Sequence, residues 1–81
     1  MELIKIEKYL VKNNFIVEHF VESEDWEEHL TIYDNSDCDI YKVTVNDNEI
    51  LLRSYCSTLN KTFTEKTKLK EFLKKDIQQY L

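Results

Sequence analysis

Leu3, Ile6, Tyr9 and Leu10 recur at helical spacing, with Glu2, Lys5, Lys8 and Lys12 around them. An apolar stripe of that period predicts an amphipathic helix over about residues 2–12. Asn13-Asn14 is the expected stop, because Asn tolerates the left-handed conformation that ends helices. From Phe15 to Glu22 the period falls to two. Phe15, Val17 and Val21 share one strand face with His19 between them, and Ile16, Glu18 and Phe20 point the other way. Ser23-Glu24-Asp25 breaks the pattern, and Glu28 to Tyr33 reads as a second strand with Leu30 and Ile32 on one face. Asp34-Asn35-Ser36-Asp37 is a turn, since these side chains bond their own backbone. Tyr41, Val43 and Val45 make a third strand, and Asn46-Asp47-Asn48 turns it into a fourth, Ile50 to about Cys56. Residues 57–63 either extend the sheet or form a loop. Leu69, Phe72, Leu73, Ile77, Tyr80 and Leu81 follow the helical rule again, with Lys66, Lys70, Lys74 and Lys75 mostly off the stripe and Thr64 or Thr67 as cap.

The expected fold is α+β: an N-terminal helix, a three- to four-stranded antiparallel sheet and a C-terminal amphipathic helix. The simplest packing lays both helices on one face of the meander and leaves the other partly solvated. Eighty-one residues make one domain. Such a chain buries only about 60% of the surface its unfolded form exposes, which leaves little room for a deep active site. Its ten aromatic residues set it apart from disordered chains. No apolar run exceeds three residues, so no segment is expected to span a bilayer. The first residues, Met1 to Lys5, lack the basic end and apolar stretch of a signal peptide. A cytoplasmic location is therefore expected. There Cys38 and Cys56 are reduced thiols, and a disulfide would require export.

Charge changes the picture most. The net charge is −5, but it is segregated. Between Glu18 and Asp39 lie nine acids and no Lys or Arg, whereas Lys61 to Lys75 holds six lysines against Glu65 and Glu71. The functional reading is an acidic surface that meets a basic one, carboxylates standing in for a row of phosphates on a nucleic-acid-binding protein. Glu22, Glu24, Asp25, Glu27, Glu28, Asp34, Asp37 and Asp39 would supply the charge, and Trp26 and Tyr33 the aromatic anchors. The plainer reading is a solvated face that keeps the chain soluble, with Trp26 covering the edge of the core. Direct nucleic-acid binding would fall to the Lys-rich C-terminal helix, and it is disfavoured because phosphate contact needs a net positive face and this one is modest and almost without Arg.

Several chemistries are set aside. Without glycine there is no phosphate-cradling loop of the P-loop or Rossmann kind. Zinc would need scattered ligands from Cys38, Cys56, His19 and His29. A Cys–His nucleophile lacks any sign of an orienting group, and the Asp34-to-Asp37 turn lacks the glycine and distant glutamate of an EF-hand. No catalytic residue, metal or cofactor is expected.

Gly, Pro and Ala are absent and Arg53 is the sole arginine, a composition that points to an AT-rich genome. In size, charge, composition and element order the chain resembles the small acidic anti-CRISPR proteins of phages. That resemblance implies occlusion of a DNA-binding site on a CRISPR effector by the acids from Glu22 to Asp39. The expected function is thus a protein inhibitor of a basic nucleic-acid-handling partner. The alternative is a homo-oligomerising module, a homodimer pairing through Ile16, Phe20 and Ile40 on the open sheet face, with Tyr80-Leu81 joining the contact.

Overall fold

The computed structural model describes residues 2–33 and 39–77, with Asp39 placed by its backbone alone. Helix α1 spans Leu3–Lys12, strands β1 to β5 span Ile16–Phe20, His29–Tyr33, Asp39–Asn46, Glu49–Ser54 and Asn60–Phe63, and helix α2 spans Lys66–Ile77. The strands form one antiparallel meander in the order β1-β2-β3-β4-β5. The α+β expectation holds, with five strands rather than three or four: residues 60–63 extend the sheet, pairing Ile50 with Phe63 and Arg53 with Asn60.

A chain without glycine must build its left-handed positions from other residues, and Asn and Asp do so here. α1 ends as its sequence predicts. Asn14 takes φ 72°, the Asn14 N–H donates to the Val11 carbonyl and the Phe15 N–H to the Leu10 carbonyl, each at 3.0 Å. These two bonds satisfy carbonyls that the helix end would leave open. The Asn13 side-chain amide adds a third, to the Tyr9 carbonyl at 2.7 Å. Asp47 holds φ 55° in the two-residue turn between β3 and β4. Asn14→Ala is therefore expected to destabilise the fold by about 1–2 kcal/mol, while Asn14→Gly is neutral or stabilising, as read by urea unfolding. At α2 the Leu69 N–H donates to the Glu65 carbonyl at 3.3 Å, so Glu65 flanks the helix. Thr64 thus lies one residue too early to cap it, and Thr67 already sits in the first turn.

One core joins the elements. α1 contributes Leu3, Ile6 and Leu10, α2 contributes Leu69 and Leu73, and the three inner strands supply Leu30, Ile32, Ile40, Tyr41, Val43, Ile50 and Leu52. Register places Leu30, Val43 and Leu52 side by side on the face that the helices cover. The Tyr41 hydroxyl donates to the Asp76 carboxylate, tying β3 to the end of α2. Tyr80, Leu81 and the Asp34-to-Asp37 turn lie outside the described residues.

A β-bulge corrects one expectation. Ile32 pairs with Tyr41 but Tyr33 pairs with Asp39, which leaves Ile40 as the extra residue on β3. Ile40 and Tyr41, consecutive in the chain, are consequently both buried, so Ile40 is core and not part of an open face. Phe20 is half-buried in an aromatic stack, and of the three residues expected to pair two copies only Ile16 is exposed. Among the described residues no helix is long and apolar enough to cross a membrane.

Candidate interface at the acidic end of the sheet

The connection from β1 to β2, residues 21–28, is exposed at every position, yet it is pinned in one shape. The Trp26 indole N–H donates to the Val21 carbonyl at 2.7 Å, and the Ser23 N–H to the Trp26 carbonyl at 2.9 Å. The Ser23 hydroxyl accepts from the Asp25 N–H at 3.2 Å, a local turn that Ser favours. Trp26 packs edge-on against Phe20, with ring centres 6.0 Å apart, and Phe20 stacks flat on His29 at 4.9 Å. The His29 Nδ1–H donates to the Glu27 carbonyl at 2.8 Å, since a carbonyl only accepts. Phe20 and His29 are cross-strand partners, so the aromatic row grows out of the sheet register itself.

Trp26 remains 44% exposed and Val21 67%, which leaves an apolar step among the carboxylates. Trp26→Ala removes one hydrogen bond and one ring contact. It is expected to lower global stability by only about 0.5–1.5 kcal/mol. The larger change is local: exchange of the Ser23 amide proton, read by NMR, should accelerate about tenfold or more relative to core amides.

The histidine on the helix-covered side ties the loop to the fold. His19 Nε2–H donates to Glu28 Oε2 at 2.8 Å, and its Nδ1 lies 3.7 Å from Glu7 Oε1 of α1. Among the described residues Glu28 is thus the one acid of the connection held by a histidine. Among the described residues none of Glu22, Glu24, Asp25 and Glu27 forms one. Among the described residues no lysine of α2 forms an ion pair with them; Lys66 and Lys70 sit over the Tyr9 ring, and Lys61 of β5 over Phe72.

Glu22, Glu24, Asp25, Trp26, Glu27 and Glu28 all lie on this one connection. Tyr33 and Asp39 do not. They pair with each other at the far end of β2, four residues from His29, or about 13 Å along the strand. The Tyr33 hydroxyl donates to Glu18 at 2.6 Å on the open sheet face, so both side chains are engaged there. Asp34 and Asp37 fall outside the described residues. In exchange the fold adds an acid that charge counting along the chain passes over. Asp47 of the β3–β4 turn lines the same cleft as Glu22, Glu27 and Glu28, above Leu3 and Val45. Alternate turns of a meander emerge at the same end, which is the signal that would have found it. Cys56 is exposed, and Cys38 lies outside the described residues.

No protein-family model, curated protein or solved structure matches this chain.

Proposed function

We propose that this chain is a small protein inhibitor or regulator. It docks the acidic end of its sheet on a basic, nucleic-acid-handling protein and occupies the groove where phosphates would lie. A CRISPR effector is the partner that the resemblance to anti-CRISPR proteins implies. The observation that carries this reading is the combination at residues 21–28: five exposed carboxylates, of which Glu22, Glu24, Asp25 and Glu27 form no ion pair among the described residues, on a loop held by hydrogen bonds around a half-exposed tryptophan. Carboxylates left unpaired speed encounter with a basic surface and suppress the wrong partners. A loop already ordered loses little conformational entropy on docking. Tryptophan is enriched among interface hot spots, and a polar rim around such an anchor is usual.

The test is capture from bacterial lysate with the native chain and with a variant neutralised at Glu24, Asp25, Glu27 and Glu28, each at low and at high salt. The reading expects a basic nucleic-acid-binding protein held by the native chain at low salt, and lost with the variant or at high salt. Equal recovery by both chains would move the interface elsewhere and end this reading.

A further inference from the structure

The open face of the sheet carries the opposite charge at its centre. Lys42 on β3 and Arg53, the only arginine, are direct cross-strand partners, with Thr31 and Asn60 continuing the row on either side. Like charges placed opposite each other in an antiparallel pair repel. The chain has sixteen acids, yet among the described residues neither cation forms an ion pair, although Lys42 is partly buried. Two depressions of about 290 and 300 Å³ flank the pair and share both side chains. The first adds Glu27, Thr44, Leu51 and Asn60, and the second adds Ser54 and Tyr55.

We infer that Lys42 and Arg53 form an anion site for a small phosphate monoester whose organic part carries hydroxyl groups. The planar guanidinium offers paired N–H donors and the ammonium a point charge. Together they match the several charged oxygens of a phosphate better than the two of a carboxylate. The Thr44 hydroxyl and the Asn60 amide supply neutral hydrogen-bonding groups beside it, and Leu51 an apolar wall. Glu27 sets the selectivity. A carboxylate at the edge of the depression repels a bare anion but accepts a hydrogen bond from a sugar hydroxyl. The same carboxylate lines the acidic cleft at the end of the sheet, and with a net charge of −5 the surroundings disfavour a polyanionic strand. A single phosphate meets a local excess of positive charge, whereas a long strand must also cross the acids. The Lys42–Arg53 pair itself lies outside the β1–β2 connection, and Glu27 alone belongs to both.

Titration of the full chain with ribose 5-phosphate, inorganic phosphate and a ten-nucleotide RNA, followed by amide NMR shifts, tests this site. Ribose 5-phosphate is expected to give saturable shifts at Lys42, Thr44, Arg53 and Asn60 and to bind more tightly than inorganic phosphate. Lys42→Gln and Arg53→Gln should each weaken it by about tenfold. Each should also raise the Tm of the unliganded chain by about 1–5 °C, because the repulsion is relieved, so lost binding cannot be mistaken for lost folding. Glu27→Gln should narrow the preference for the sugar phosphate over inorganic phosphate. The site is overturned if the shifts are absent, if they persist in both cation variants, or if sodium chloride at equal ionic strength reproduces them. Tighter binding of the RNA than of ribose 5-phosphate would overturn it in favour of a nucleic-acid strand.

Discussion

Neutralising Glu24, Asp25, Glu27 and Glu28 to Gln or Asn is expected to lower affinity for the partner by about a hundredfold or more and to leave the fold intact. The loss comes mainly from association. Four charges at one end of the molecule set its approach to a basic surface, and electrostatic steering is worth about 10–1000-fold in rate. The fold survives because all four side chains are exposed and the hydrogen bonds that shape the loop come from the backbone, Ser23, Trp26 and His29. Gln at position 28 still offers His19 an acceptor oxygen, and removing four like charges relieves repulsion within the loop. Binding kinetics of native and neutralised chains on the captured partner, alongside their thermal unfolding, measure both halves. A fall in Tm of several degrees would assign the lost binding to unfolding instead. Because these charges are exposed, the difference should shrink as salt shortens the screening length below about 8 Å.

The second large effect concerns the core. Leu52→Ala is expected to destabilise the chain by about 2–5 kcal/mol, from lost burial plus the cavity left behind. Leu52 is fully buried on β4 beside Val43. A chain of this length has only about 4–12 kcal/mol in total, so the variant should lose a large share of its urea midpoint. Leu51, its neighbour, points to the open face and is half-exposed. Leu51→Ala should therefore cost about 1 kcal/mol or less. Equal losses at the two positions would contradict the assignment of faces.

Both helices and the first four strands were legible because their apolar residues keep a clean period. Leu3, Ile6 and Leu10 mark one helix face, and Leu69 and Leu73 another. β5 was ambiguous for a physical reason: Asn60, Lys61 and Thr62 are exposed on an edge strand, and only Phe63 is partly buried. The burial of Ile40 could not be read from alternation, because a bulge breaks alternation by definition. For the candidate interface, the segregation of charge was legible but its layout in space was not. Charges were counted along the chain, whereas β2 runs away from the Glu22-to-Glu28 group so that β3 begins at Asp39 on the far side, and the meander brings Asp47 back to it. The Lys42–Arg53 pair was hidden in the same way, since ten intervening residues separate in sequence what one register places opposite.

The central claim is that the acidic end takes the place of nucleic acid on its partner. It is tested most directly by displacement. Labelled nucleic acid bound to the captured partner is titrated with the native chain, and its release is followed by fluorescence anisotropy. Full release, with an inhibition constant equal to the chain's own dissociation constant and no release by the neutralised variant, is the predicted result. A ternary complex in which chain and nucleic acid stay bound together would contradict it.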